Sequence, residues 1–321
     1  MSSNLIGRIL FCILLACIIP ANAQEYPSKP IKIIVPFPPG GGADIVARIV
    51  AEKLSGQLGQ GAVVENRSGA GGNIGAEAVF RAEPDGYTLL LTTQGPLVVN
   101  KSLYAKLAYD PDAFVPISLV AASQGVLLVN PKVPASSIRE LIAYAKAYPD
   151  RLNYASQGIG TTAHLAAELF KSMAQVKITH IPYKGTGPAL ADMLAGQVDM
   201  MFSELSAASS YIRAGKLRAI AVGNDKRNPI MPDVPTVSEA LPGFVVMTWY
   251  GMVAPPATGT AITNRLSAAV ANTLKQPDVS KRLLDLSVSG IGSTPAELTQ
   301  FMKQERERWG QVIRTTGARA D

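Results

Sequence analysis

"IIVPFPPGGGADIVARIV", residues 33–50, decides how the rest of the chain is read. An apolar, β-branched run (Ile33, Ile34, Val35) enters a turn rich in proline and glycine. A helical pattern follows at once, with Ile45, Val46, Ile49, Val50, Leu54 and Leu58 at spacings of one, three and four. The order is strand, glycine loop, helix. Such a loop presents the unpaired N–H groups and the positive dipole end of a helix N-terminus, a ready place for an anion.

The same alternation continues along the chain. Strand-like runs are read at 31–37, 62–67, 88–93, 114–123, 126–130, 152–156, 177–183, 198–202, 217–222 and 244–253. Helical patterns are read at 43–58, 72–81, 137–148, 162–173, 188–195, 205–214, 261–275 and 295–312. This predicts α/β domains with largely parallel sheets, whose ligands sit beyond the carboxyl ends of strands. Two long extended runs, 118–130 and 245–254, are expected to cross between two domains, near Ser123 and Trp249. The expected bounds are 24–124 with 249–321 for a discontinuous first domain, and 125–248 for the second.

Three post-strand loops carry glycine. The first lacks the lysine and hydroxyl of a P-loop. The second, "VVENRSGAGGNIGAEAVF", imitates a dinucleotide fingerprint, but the next strand ends in Thr92, Thr93 and Gln94 where an acidic residue is required. The third, "YASQGIGTTAHLAAELF", repeats the design of the first: Ser156, Gln157 and Gly158, then Thr161 and Thr162 at the helix start. A threonine there caps the helix or donates to a carboxylate. Gly40–Gly41 and Thr161–Thr162, facing each other, would clamp one carboxylate without an arginine.

The N-terminus sets the compartment. Arg8, the apolar run 9–19 and Ala21-Asn22-Ala23 form a secretory signal, residues 1–23, cleaved after Ala23. Export to the periplasm as a free protein is preferred over lipid attachment at Cys17. Both cysteines, Cys12 and Cys17, fall in that segment, so the mature chain has neither thiolate chemistry nor disulfides. The chain has 321 residues, 47% of them hydrophobic, enough for two domain cores. Net charge is +6, and the basic residues are scattered, which argues against nucleic acid. Catalytic sets are scarce: the two histidines, His164 and His180, have no zinc spacing, and neither GxSxG nor SxxK occurs. No catalytic residue, metal or cofactor is expected.

The chain resembles the extracytoplasmic substrate-binding proteins of tripartite tricarboxylate transporters, the Bug receptors. The resemblance is carried in order by "YPSKPIKIIVPFPPGGGADIVAR", "VVENRSGAGGNIGAEAV", "PDGYTLLLTT", "GIGTTAHLAAELF", "HIPYKGTGPALADMLAGQVDMMF", "AGKLRAIAV", "PDVPTVSEALPGF" and "WYGMVAP". It implies a two-domain type 2 periplasmic binding protein, a Venus flytrap with two crossover strands as hinge. It also implies a small carboxylate held between the domains and membrane transporter subunits as partners. By that resemblance, Pro39, Gly40 and Gly41 would meet the carboxylate from one domain, and Ser156, Gln157, Gly158, Thr161 and Thr162 from the other. Gln94 and the Lys184-Gly185-Thr186 loop would add specificity, and Asp44 would cap the first helix. Members commonly carry aspartate after the "VDMMF" strand; here Ser203 and Glu204 stand there, which favours a carboxylate without an amino group. The expected protein is a monomeric receptor, not an enzyme. Two other readings remain: a sensor for a signalling partner, and an exported enzyme using the cleft.

Overall fold

A computed structural model describes residues 26–320. The expected signal, its cleavage after Ala23 and the Cys17 alternative lie outside the described residues. Ten strands and nine principal helices alternate through the described chain. The first half begins with β1 (Ile31–Val35), α1 (Gly42–Leu58), β2 (Ala62–Asn66), α2 (Asn73–Phe80) and β3 (Thr88–Thr92). It then enters the long β4 (Val115–Val129). The middle runs α3 (Ile138–Ala147), β5 (Asn153–Ser156), α4 (Thr162–Ala174), β6 (Thr179–Pro182) and α5 (Thr186–Ala195), then β7 (Met200–Glu204), α6 (Leu205–Arg213) and β8 (Arg218–Val222). The chain closes with β9 (Met247–Ala254), α7 (Thr260–Leu274), α8 (Pro277–Asp285), β10 (Val288–Gly290) and α9 (Pro295–Thr316).

The strands form two ladders that share one strand. In the first, β2, β1 and β3 are parallel, β9 pairs antiparallel with β3, and β4 pairs antiparallel with β9 and β10. In the second, β6, β5 and β7 are parallel, while β4 is antiparallel to both β7 and β8. The sheets are therefore mixed rather than largely parallel. β4 changes partner between Gln124, which faces Met247, and Gly125, which faces Glu204. The expected break at Ser123-Gln124-Gly125 is absent: β4 is one strand of 15 residues, with register shifts near residues 116–121 instead. Glycine inside an apolar run reads as a turn, yet at a point where neighbouring backbones converge it is the residue that leaves room. The Gly125 carbonyl accepts from Gly223 N–H at 2.8 Å, and the Gly223 carbonyl from Val246 N–H at 2.8 Å. Trp249 pairs with Ala122 inside the first ladder.

The unbroken apolar run of β1 is explained by burial on both faces. Ile33 and Val35 pack with Val46, Val50 and Leu266 of α1 and α7, while Ile34 packs with Val79 and Leu97. α9 lies against both β4 and α4. Its Glu305, buried, accepts from the indoles of Trp249 at 2.9 Å and Trp309 at 3.0 Å, and from Arg308 at 2.8 Å. α8 and the helical stretch 95–103 were not anticipated. α8 buries only Val279 and Leu283, too few to set a period, and Gly95-Pro96 reads as a loop.

Candidate ligand-binding cleft

Four helices start at one place. α1 begins after Gly41, α4 after Thr161, α5 after Gly185 and α6 after Glu204, and none of the four has a side-chain cap. Each follows a strand carboxyl end, as α/β topology dictates. Gly41, Gly42, Thr161, Thr162, Thr186 and Glu204 line a common pocket with about 410 Å³ of free space, the solvent at its mouth included. The first intrahelical bonds run from Ile45 N–H to Gly41 O (3.0 Å) and from Leu165 N–H to Thr161 O (3.1 Å). The preceding N–H groups, those of Gly42, Ala43 and Asp44 and of Thr162, Ala163 and His164, therefore have no partner within their own helices. No lysine or arginine lines the pocket; its one titratable residue is Glu204.

The first loop is held by Asp44. Its carboxylate accepts from Gly40 N–H at 2.9 Å, from Asn66 at 2.9 Å and from Arg48 at 3.0 Å. Burial pushes the carboxyl up, but these donors together hold it below its ordinary value. Asp44 thus braces the loop ahead of the helix rather than capping the helix itself. Pro39 and Gly40 are exposed and outside the pocket, and the Gly40 N–H is taken by Asp44. Gly41 lines the pocket, and so do Phe37, Pro38, Gly42 and Ala43, which sequence reasoning did not single out. Gly42 lies in the same glycine run; a Cβ there would overlap the Tyr250 hydroxyl, so only glycine lets this helix start sit against β9.

The opposing loop is equally organised. The Ser156 hydroxyl contacts Gly158 O and Gly158 N–H at 3.2 Å and His180 Nε2 at 2.7 Å. It builds the turn and does not line the pocket. Gly158, at φ 132°, lines a neighbouring groove with Gly71 and Lys184. The Thr161 hydroxyl donates to Gly158 O at 2.7 Å, so its proton is committed to the loop, neither capping the helix nor facing the cavity. Thr162 is also buried and lines the pocket, and its hydroxyl makes no hydrogen bond among the described residues. Gln157 lines the pocket and donates to Glu204 Oε2 at 3.3 Å. Behind the loop, His164 stacks on His180 and His180 on Tyr154, each at 4.6 Å between ring centroids. Burial lowers His164 to about 4; burial and then the neighbouring His164 lower His180 to about 3. Both imidazoles are neutral at pH 7.

The remaining expectations divide. Gln94 is fully buried and donates to Met247 O at 3.2 Å; it ties β3 to β9 and does not line the pocket, whereas Thr93 does. Gly185 and Thr186 line the pocket, and Lys184 is exposed at the neighbouring groove. Ser203 faces a smaller adjoining pocket, which Gln157, Thr162 and Glu204 also line. Gly41 looks across at the Thr186 hydroxyl, 3.8 Å from its ideal Cβ position. The loops at Gly71 and Gly95 close on the carbonyls of Ile159 and Gly160.

Comparison with known proteins agrees with this fold. The model of the "tripartite tricarboxylate transporter family receptor" matches residues 46–318. The chain belongs to this family. Protein BugT of Bordetella pertussis is 39% identical over 303 residues, covering 94% of this chain and 93% of the relative. A Pseudomonas sp. (strain P51) protein from the tcbD-tcbE intergenic region is 41% identical over 293 residues, 90% of this chain and 87% of that one. Among solved structures, MatC from Rhodopseudomonas palustris with bound malate superimposes with a TM-score of 0.86 at 37% identity, covering 90% of this chain and 100% of that one. An R. palustris protein with adipate gives a TM-score of 0.88 at 36% identity, over 91% of this chain and 99% of that one. The family receptor shares the mixed α/β fold of periplasmic solute-binding proteins, and among the described residues no helix is long and apolar enough to cross a membrane.

Proposed function

We propose that this family receptor captures a small carboxylate lacking an amino group and delivers it to the membrane subunits of a tripartite transporter. The observation that carries the reading is the convergence of four helix N-termini without side-chain caps on one pocket that holds no basic side chain. Each helix end stabilises an anion by about 0.3–1 kcal/mol, and up to about 2 kcal/mol when partly buried. Hydrogen bonds to a charged group add about 1.5–3 kcal/mol each. Three such bonds and four dipole ends sum to about 6–13 kcal/mol before the cost of association is subtracted. The acids present in the two R. palustris relatives support a dicarboxylate as the ligand class.

In this reading Gly41, Gln157, Thr161, Thr162, Ser203 and Glu204 belong to the site or its wall, and Pro39, Gly40, Gln94, Ser156 and Gly158 position it. The lobes are 24–124 with 249–321 and 125–248, hinged where β4 changes partner. The protein works in the periplasm as a monomer after cleavage behind Ala23, and it releases its ligand unchanged. Mass spectrometry of ligand released from protein purified without refolding, followed by calorimetric titration with that acid, adipate and malate, tests the proposal. Stoichiometric binding of an intact small carboxylate is expected. A released sugar or amine, or turnover of the acid, would refute it.

A further inference from the structure

The carboxyl of Glu204 has no charge to answer it. The residue closes β7 opposite Gly125, is 8% exposed, and lines both the main pocket and the smaller one beside it. Its Oε2 accepts from Gln157 at 3.3 Å, while Oε1 has no hydrogen bond among the described residues. Neither lysine nor arginine reaches it, and it takes part in no ion pair there. From β9 it is faced by Tyr250, a neutral phenol whose buried hydroxyl makes no hydrogen bond of ordinary geometry. From α1 it meets the uncharged Gly42, since Asp44 is turned to Arg48, Asn66 and Gly40. From the other loops it meets Gln157, Thr162 and Thr186, none of them titratable. Ser123 and Gly125 of β4 bring no charge either.

Two like charges cannot share so small and dry a space without large cost. A ligand carboxylate drawn to the four helix ends lands beside this carboxyl. An ionised Glu204 would repel it, whereas the neutral acid is a hydrogen-bond donor for it. We propose that Glu204 is a neutral carboxylic acid in the ligand-bound cleft, its O–H donating to an oxygen of the bound carboxylate, so that capture takes up one proton from solvent. This rests on the carboxylate reading above. Burial by itself already pushes the Glu204 carboxyl up, in the same direction. Opening of the lobes wets the group and lets it ionise, and release of the ligand returns the proton. The residue also sets specificity: it favours acids with a bare carboxylate oxygen at this position.

The test is calorimetry of the mature protein with adipate and malate between about pH 6 and 8.5, in buffers of different ionisation enthalpy. Above about pH 7 both acids are almost fully ionised, so a proton taken up there belongs to the protein. The wild type should take up about one proton per ligand and lose about tenfold in affinity per pH unit above the free-state pKa of Glu204. Glu204→Gln, which mimics the neutral acid, should show no proton uptake, and its affinity should change by less than about twofold over the range. Infrared difference spectra should show a protonated carboxyl C=O band on ligand binding, lost in Glu204→Gln. Binding without proton uptake, or equal uptake in both proteins, would overturn this proposal alone. Binding of these acids that strengthens as pH rises would mean that the ionised Glu204 is the binding-competent form and would also overturn it. Absence of carboxylate binding at every pH would overturn both this and the carboxylate reading.

Discussion

Thr161 and Thr162 are adjacent, chemically identical and both buried, yet their hydroxyls have different work, and paired valine substitutions separate them. In Thr161→Val the donor to Gly158 O, at 2.7 Å, is lost. That carbonyl keeps contacts from Ser156 Oγ at 3.2 Å and Thr161 N–H at 3.3 Å, so it is not orphaned. The cost should sit near about 1 kcal/mol, the net worth of a neutral hydrogen bond, rather than at the about 3 kcal/mol of an unsatisfied buried group. For a domain of this size that is about 2–4 °C in melting temperature of the ligand-free protein. Thr162→Val removes a hydroxyl that makes no intramolecular bond, so ligand-free stability should move by less than about 0.5 kcal/mol. If that hydroxyl donates to the ligand carboxylate, about 1.5–3 kcal/mol of binding is lost, a fall in affinity of roughly tenfold to a hundredfold. Differential scanning calorimetry without ligand and titration calorimetry with adipate read the two quantities on the same preparations. The reverse pattern, with Thr161→Val losing affinity at unchanged stability and Thr162→Val binding normally, would refute the assignment.

Three further outcomes are expected. Gly71→Ala places a Cβ onto the Ile159 carbonyl of the facing loop, at a φ of 61° that already disfavours alanine. It should weaken ligand binding at least about tenfold by obstructing closure, and a scattering radius that fails to contract with ligand is the check. Glu305→Ala leaves two indole N–H groups and Arg308 without their shared acceptor. Urea unfolding should show a loss of about 3–5 kcal/mol; a loss under about 1 kcal/mol would contradict the network's role. His164 and His180 bind protons less readily folded than unfolded, with values near 4 and 3 against the ordinary 6.5. Their contribution is therefore complete above about pH 6.5 and lost as pH falls, by up to about 1.4 kcal/mol per unit for each imidazole. Melting temperature should drop between pH 7 and 5, and less steeply in His180→Phe; parallel curves would refute the linkage.

The sequence by itself determined most of the elements and the places where chemistry had to be sought. Local periodicity marks α1, α4, α6 and α9, because each buries one stripe, and β-branched runs mark β1 and β4. Glycine loops between strand and helix pointed to Gly41, Thr161 and Thr162 as places to search, since a strand's carboxyl end and the next helix's N-terminus are set by chain order alone. Local pattern could not supply the rest. It did not show that β4 runs unbroken through Ser123-Gln124-Gly125, because a glycine that admits a neighbouring backbone looks the same as one that turns the chain. It could not tell the committed hydroxyl of Thr161 from the free one of Thr162, nor the Gly40 N–H held by Asp44 from the N–H groups without a partner in their own helix. Nor could it show that Glu204, at the end of an ordinary strand, is walled in without a cation. Hydrogen-bond partners and buried charge depend on which distant segments come within about 3 Å, a distance set by the packing of whole ladders and helices.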